Sequence, residues 1–412
     1  MEIILITGNG FDLHFGLPTK YKHFIEISKH LIENSVNLSL KERFTFDEIY
    51  LKCDNYKDIN DTYNSFEFNS EELKAYANEL KNNLWFKHFS KKNEIDTWID
   101  FENEISVIIE KLVNTIIIYN ENSKELDSKE YFDIEKINND IHALSILETF
   151  DFFDDYDEGC INSIFFHKVE YKDGMYLTEI SLEKVFDKLR VELGDFKKVF
   201  KKYFEIFVIP LYNNLKNKEI IDIRFDKHFT FNYTPTFEIF FGRINTEYLH
   251  GSILKSKDIV LGVNEIFNNL NISKKILSPF TKYYQKLVND TDYKFLHTFN
   301  KDAYKRYAIC FVFWGHSLDI SDKNYINEVI DFVSYDKGIW GEKKSIYIVY
   351  HDEISKSNLL LNLLNNRGNN DIENLMKSEK LVFVKNDYTL ISNKITNFIN
   401  TNISSADIPK VF

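Results

Sequence analysis

The chain has 412 residues, of which 44% are hydrophobic and 16% aromatic, and its formal net charge is -13. A chain of this length exceeds what one simple core usually supports, so we expect two or three domains, or one domain with a large insertion. The apolar content excludes a disordered chain, and the acidic charge argues against a general nucleic-acid coat or an anionic membrane surface as partner.

The first residues and the cysteines favour a cytoplasmic protein without a metal site. Met1 is followed by an acidic residue and a strand-like run, not by the basic and apolar regions of a signal peptide. No uninterrupted apolar run approaches the roughly 20 residues that a membrane helix needs. Cys53, Cys160 and Cys310 are far apart and form no CxxC pair, so neither a disulfide framework nor a zinc ribbon is predicted.

The N-terminal residues predict a strand, a glycine loop and a helix. Residues 2–8 read EIILITG, which is typical of a strand buried on both faces of a parallel sheet. The loop GNGFDLHFGLP then places three of the 13 glycines and one of the five prolines in eleven positions. Glycine allows a backbone to approach a phosphate or to adopt positive φ, although strand-to-helix turns also use it for purely structural reasons. From Pro18 onward the apolar residues recur with helical spacing.

Two further ranges complete the predicted organisation. Residues 35–220 carry apolar residues at helical spacing within long polar stretches, which we interpret as a mostly helical insertion with solvated acidic runs. Strand-like runs return after Arg224, in HFTFNYT, EYLHGS, DIVLGV, YAICFVFWGHS, SIYIVYHD and LVFVKN. Helical segments separate several of these runs, so residues 1–34 and 221–412 are predicted to form α/β units around one mainly parallel sheet.

Candidate binding residues cluster where the predicted strands end. In open parallel sheets, ligands bind beyond the carboxyl ends of the strands, where loops and helix N-termini present backbone amides. Small, polar and titratable residues concentrate at those ends in this sequence. The candidates are Gly8, Asn9, Gly10, Phe11, Asp12, Gly16, Thr230, Asn232, Thr234, His250, Gly251, Gly262, Gly315, His316 and Ser317.

His250 and Asn232 are the candidates best suited to chemistry. The imidazole of His250 could act as a general base near neutral pH, or it could be a structural histidine. The amide of Asn232 could orient a ribose or a water, or it could belong to an ordinary turn or helix cap before Pro235. Glu102 and Glu104, in WIDFENE, could form a carboxylate pair, but residues two positions apart do not share a helix face, so Glu102 is a separate candidate.

The segment GHSLDISD allows a structural interpretation as well as a functional one. His316 and Ser317 could cap the helix that follows. Asp319 and Asp322 would then be acids of its first turn that complement the helix dipole.

The motifs GNGFDLHFGLPTKY, TWIDFE, TFNYTPTFE, LHGS and GHSLDISD resemble those of the bacterial abortive-infection H family, AbiH. The resemblance extends from the N-terminus to about residue 352, with these motifs as its specific parts. It implies a role in defence against phage, with a phage-derived trigger as a further partner.

The sequence also resembles the sirtuins and sirtuin-like NAD hydrolases. Their first loop, GAGISxxxGIP, is matched in spacing by Gly8, Gly10, Gly16, Leu17 and Pro18. Their TxN motif is matched by Thr230 and Asn232, and their HG motif by His250 and Gly251. Their late GTSL motif is matched by Gly315, Ser317 and Leu318. The resemblance implies a sirtuin-like doubly wound sheet of the Rossmann type that binds NAD. In that case the glycine loop and GHSL would hold the phosphates and ribose, Asn232 would contact the nicotinamide ribose or position water, and His250 would accept a proton.

Three departures from the sirtuin pattern affect this interpretation. Thr234 replaces the usual Asp after TxN, and Thr19, Lys20 and Tyr21 replace the DFR that follows GIP. Asp12 adds a negative charge near the proposed phosphates. The zinc cysteines are missing, which argues against protein deacetylation.

The expected function is therefore that of an antiphage effector that hydrolyses NAD, or a related nucleotide, to nicotinamide and ADP-ribose, and the resemblance implies that it could work as a homo-oligomer. One alternative is a sensor that binds an NAD-type nucleotide without turnover and signals to a partner, which Asp12 and Thr234 favour. A nuclease is a third alternative, against which the net acidity and the lack of a metal-carboxylate cluster in the sequence argue.

Overall fold

The computed structural model describes residues 1–35, 37–50, 66–92, 98–122, 140–154, 160–170, 176–215, 223–242, 244–254, 258–264, 272–291, 295, 308–334 and 343–406.

A six-stranded sheet in which every pair is parallel forms the centre of the protein. Its strands, in the spatial order β10-β9-β8-β1-β6-β7, are β1 (Glu2–Thr7), β6 (Lys227–Thr230), β7 (Asn245–Tyr248), β8 (Ile309–Trp314), β9 (Lys344–Tyr350) and β10 (Leu381–Lys385). The predicted α/β fold with a parallel sheet is thereby confirmed. β1 and β8 are almost wholly buried, as the apolar runs predicted, because helices cover both faces of the sheet.

Strand order reverses next to β1, and this position defines the site. The chain passes from β1 to β6 and β7 on one side, and then to β8, β9 and β10 on the other. Leu5 pairs with His228 of β6 and with Val312 of β8. Loops diverge at such a reversal, which opens a crevice beyond the carboxyl ends of the strands.

Helices account for most of the remaining described residues. They are α1 (Asn9–His14), α2 (Tyr21–Glu33), α3 (Phe46–Tyr50), α4 (Ser70–Asn82), α5 (Leu84–Ser90), α6 (Trp98–Asn122), α7 (Ile141–Thr149), α8 (Leu182–Tyr203), α9 (Tyr212–Leu215), α10 (Thr236–Phe241), α11 (Lys274–Leu277), α12 (Lys282–Val288), α13 (Lys323–Ser334), α14 (Glu353–Arg367), α15 (Asn369–Lys377) and α16 (Tyr388–Ala406). Between α2 and β6 lie two small antiparallel pairs, β2 (Arg43–Thr45) with β3 (Glu67–Asn69), and β4 (Phe166–Glu170) with β5 (Tyr176–Ile180).

Aromatic packing joins the helices that lie between β1 and β6 in sequence. On α6, the Phe101 ring lies 4.1 Å from that of Phe89 on α5 and 5.4 Å from that of Phe196 on α8, measured between centroids. Phe196 in turn contacts Phe24 of α2 at 5.9 Å. Because α2 is joined to β1 through the glycine loop and α1, this contact helps to position α6 and α8 relative to the sheet.

The segment DIVLGV does not form a strand, so that prediction is wrong. Its backbone is instead bonded to loops and to a side chain: the N–H of Val260 donates to the carbonyl of His250, and that of Leu261 donates to Oε1 of Gln285. Val263 makes an isolated bridge to Thr281. The apolar run is buried under α12. Its backbone N–H groups find hydrogen-bond acceptors in this position, so the run needs no pairing with a strand of the sheet.

Candidate functional site

The glycines after β1 and β8 let two loops pack backbone against backbone. The N–H of Gly10 donates to the carbonyl of Gly315 over 2.7 Å. A Cβ on Gly315 would lie 1.9 Å from the nitrogen of Phe11, and φ at Gly315 is +67°. Any side chain at this position would therefore separate the loops. Tight contact between the two loops is one reason for the concentration of glycine in GNGFDLHFGLP.

A cavity of about 270 Å³ lies beyond this junction. Residues that follow β1, β6, β7 and β8 line it, together with single residues from the helices between β1 and β6 and from α12. The sequence-predicted residues that line the cavity are Gly8, Asn9, Gly10, Asp12, Glu102, Asn232, His250, Gly315, His316 and Ser317. Segments that are more than 200 residues apart in sequence thus converge on one cavity.

Asp12 organises the turn after β6. Its carboxylate, only 1% exposed as a residue, accepts hydrogen bonds from Nδ2 of Asn232 at 3.0 Å, Oγ1 of Thr234 at 2.5 Å and Oγ1 of Thr236 at 2.6 Å. Burial raises the pKa of Asp12 to about 6, although these three hydrogen bonds act in the opposite direction. The Asp12 carboxylate is thus held by hydrogen bonds from neighbouring side chains, and the hydroxyl of Thr234 is one of the donors.

These contacts orient the amide of Asn232. Its Nδ2 donates both to the Asp12 carboxylate and to the carbonyl of Gly8, the latter over 2.9 Å. Two acceptor partners settle which terminal atom is nitrogen. Oδ1 of Asn232 has no donor among the described residues, so it is the atom that can accept a hydrogen bond from a hydroxyl or a water in the cavity.

Two histidines face one carboxylate on the opposite wall. Nε2 of His250 and Nε2 of His316 each lie 3.5 Å from a different oxygen of Asp322. Nδ1 of His316 accepts the N–H of Leu318 at 2.9 Å, which places the ring proton on Nε2. Both Nε2 atoms and Oδ1 of Asp322 are buried without a hydrogen-bond partner in the described part of the chain. This cluster therefore retains hydrogen-bonding capacity for a ligand or a water.

Burial and charge set the protonation states of this cluster. Burial raises the pKa of Asp322, but the two facing imidazoles and the Lys282 ammonium outweigh it and hold the pKa well below its ordinary value. Burial lowers the pKa of His250 to about 3, with Lys286 acting in the same direction and Asp322 opposing. At neutral pH the cluster therefore contains an ionised Asp322 and a neutral His250.

A buried ion pair, Glu102 with Lys282, forms a third part of the cavity wall. Oε1 of Glu102 lies 2.6 Å from Nζ of Lys282, and the two side chains are 13% and 4% exposed. Burial raises the pKa of Glu102 to about 7 although Lys282 opposes this. Burial alone would lower the pKa of Lys282, but Glu102 and the neighbouring Asp322 raise it, so the ammonium stays charged.

The other predicted site residues support the cavity from outside its lining. Phe11 packs edge-on against Trp314, with their centroids 5.2 Å apart, and Thr230 accepts hydrogen bonds from Thr7 and from the N–H of Asn232. Gly251 and Gly262 permit close backbone approach: a Cβ would lie 2.3 Å from the carbonyl oxygen of Asp258 and 2.2 Å from that of Phe280, respectively.

Gly16, at φ +74°, lines a neighbouring cavity of about 700 Å³. This second cavity shares Gly10, Gly315, His316 and Ser317 with the first. Its titratable lining groups are His14, Lys20, His23, His316, Tyr350 and His351, and no carboxylate lines it among the described residues.

Sequence reasoning missed Lys282 and assigned Asp322 to a helix dipole. Asp319 is the residue that caps the turn before α13, since its carboxylate accepts the N–H of Ser321 at 3.1 Å. Asp322 is thereby free to face the histidines. A lysine whose neighbours in sequence, Tyr283 and Tyr284, are exposed carries no pattern that would predict its burial.

The sequence of the chain matches the family model for bacteriophage abortive infection AbiH over residues 4–341. The chain belongs to the AbiH family. Membership implies a role in abortive infection by phage, and the matched range includes all the residues of the AbiH cavity described above. No curated protein and no solved structure matches the chain. In the described part of this AbiH protein, no helix is long and apolar enough to cross a membrane, and no group of three or more His, Cys, Asp or Glu is arranged to hold a metal ion.

Proposed function

We propose that this AbiH protein hydrolyses NAD, or a closely related nucleotide, to nicotinamide and ADP-ribose during phage infection. The observation that supports the proposal is the convergence of four sequence motifs, from Gly8, Asn232, His250 and Gly315, on one cavity at the reversal of strand order. Crevices at this position of parallel sheets are the usual site for nucleotides.

The chemistry of the cavity suits cleavage of an N-glycosidic bond. When the bond from ribose C1′ to nicotinamide breaks, its electron pair leaves with the nicotinamide nitrogen and positive charge develops on the sugar. The ionised Asp322 supplies negative charge that stabilises this state, and a preorganised charge in a buried site acts strongly. Oδ1 of Asn232 accepts a hydrogen bond from a ribose hydroxyl or from the attacking water, which orients the reactants.

The adjoining cavity offers space for the remainder of a dinucleotide. A ligand that extends from the first cavity across Gly315 into the second would leave the acidic wall and reach a lining with imidazoles, Lys20 and the amides of Asn358 and Asn362. Phosphates are accommodated better there because none of the described residues that line this cavity carries a carboxylate.

One observation favours a sensor without turnover. His250, with a pKa of about 3, is a weak acceptor for a proton at neutral pH, so it does not by itself supply the general base that hydrolysis needs. Under this alternative the cavity binds the nucleotide and a partner reads its occupancy.

The test measures NAD, nicotinamide and ADP-ribose by mass spectrometry in cells that carry wild-type protein, Asn232→Ala or His250→Ala, before and during phage infection. His167→Ala is the control, because His167 is exposed on β4, outside the cavity. We expect NAD to fall and its products to rise with the wild type and the control only. Protection from phage with NAD unchanged would refute hydrolysis, and binding of NAD to the purified protein would then support the sensor.

A further inference from the structure

Helix α6 carries two glutamates, two positions apart, whose side chains reach different surroundings. Residues two apart on a helix point about 200° apart, which separates their faces. Oε1 of Glu104 lies 2.7 Å from His88 and 3.0 Å from Lys92, both outside the cavity. Glu102 instead lines the cavity. The helical segment between β1 and β6 therefore supplies a carboxylate to a site otherwise built at the ends of the sheet strands.

The ion pair fixes one oxygen of Glu102 and leaves the other available. Lys282 engages Oε1 at 2.6 Å, while Oε2 has no hydrogen-bond donor within the described ranges. The Glu102 side chain lines the cavity and is 13% exposed, which leaves Oε2 as the oxygen that can face a ligand there. A carboxylate with one oxygen anchored by an ammonium and the other open to the cavity is arranged to accept a proton.

We propose that Glu102 is a catalytic residue that accepts the proton of the attacking water, and that Lys282 is its positioning residue. This inference rests on the proposed hydrolysis of NAD. In the step, the water oxygen bonds to C1′ of the ribose and its proton moves to Oε2 of Glu102. The bond from C1′ to the nicotinamide nitrogen breaks, and its electron pair stays on nicotinamide, which leaves neutral. Glu102 then releases the proton to solvent, so one water is consumed and one proton is produced.

The charges around Glu102 suit it to this task better than those around His250. Lys282 and Lys286 favour its ionised form, while burial and the negative charge of Asp322 disfavour it. The balance raises its pKa to about 7, whereas that of His250 is about 3. A proton acceptor works best when its pKa lies near the operating pH.

The experiment compares Glu102→Gln with Glu104→Gln, measured as NAD turnover in infected cells and in extracts of those cells. Glu104→Gln is the matched control, because it removes the same charge from the same helix outside the cavity. We expect Glu102→Gln to lower turnover by about 100-fold to 10,000-fold while NAD still binds, which is the usual effect of losing a general base. Full turnover in Glu102→Gln, or an equal loss in both variants, would overturn the assignment.

A pH profile separates proton transfer from a merely structural role. In wild-type extracts, kcat/KM should rise with pH through about 7 as Glu102 loses its proton, and this limb should vanish in Glu102→Gln. Lys282→Met removes a group that lowers the pKa of Glu102, so the limb should move to higher pH. An unmoved limb in Lys282→Met, with turnover intact, would refute the positioning role. Absence of NAD turnover in infected wild-type cells would instead refute the proposed function itself.

Discussion

Replacing Asp12 by Asn tests whether burial raises the pKa of the carboxyl that holds the turn after β6. In the folded protein, burial raises the pKa of Asp12 from 3.8 to about 6. A raised carboxyl pKa means that the folded state binds the proton more tightly than the unfolded chain. The contribution to stability is therefore fully present below pH 3.8 and is lost as the pH rises through about 6.

The size of the effect follows from these two pKa values. One pKa unit corresponds to about 1.4 kcal/mol, so the ionised Asp12 costs the folded state about 3 kcal/mol above pH 7. At pH 5, the cost is about 1.5 kcal/mol, because the folded-state carboxyl is still mostly protonated. Asn is neutral at both pH values and can keep hydrogen bonds to Asn232, Thr234 and Thr236 if Thr234 becomes an acceptor.

The assay is urea unfolding of wild type and Asp12→Asn at pH 5 and pH 7.5, followed by tryptophan fluorescence. The difference in free energy of unfolding, variant minus wild type, should increase by about 1.5 kcal/mol between the two pH values. Asp187→Asn is the control, because it makes the same chemical change at an exposed carboxylate, whose ion-pair partner in the described part of the chain is Arg190. If the difference in free energy of unfolding for Asp12→Asn is the same at both pH values, the raised pKa of Asp12 is refuted.

Two further predictions concern the parts of the fold that position the site. Gly315→Ala should lower the thermal midpoint sharply, because a positive φ costs about 1–2 kcal/mol and the new Cβ meets the backbone of Phe11. Its control, Gly194→Ala in α8, should stabilise the protein by about 1 kcal/mol, because a Cβ there meets nothing within 4 Å. Equal thermal midpoints for the two variants would contradict the loop packing. Phe101→Ala should cost about 3–5 kcal/mol in chemical denaturation because its ring is fully buried against Phe89 and Phe196, and a loss below about 1 kcal/mol would show that α6 is not packed as described.

Local sequence patterns predicted much of the sheet and the position of its ligand crevice. The apolar run of β1 and the strand-like run of β8 ending in Trp314 are buried on both faces, as the patterns indicated. Because parallel strands end at the same edge, residues such as Asn232 and His250 were predicted to lie near the glycine loop. DIVLGV shows the limit of this reasoning, since a short apolar run can be buried without pairing in a sheet.

The sequence by itself determined which residues stand at the ends of β1, β6, β7 and β8, because local pattern and the geometry of parallel sheets decide that. Only the tertiary structure decided that Asp12 is hydrogen-bonded to Asn232, that Asp322 faces two histidines, and that Glu102 meets Lys282, 180 positions away in the sequence. Such pairs depend on how α6 and α12 pack against the sheet, and no local periodicity encodes the partner of a buried charge. The pKa of each group follows from that packing, because burial and facing charges set it.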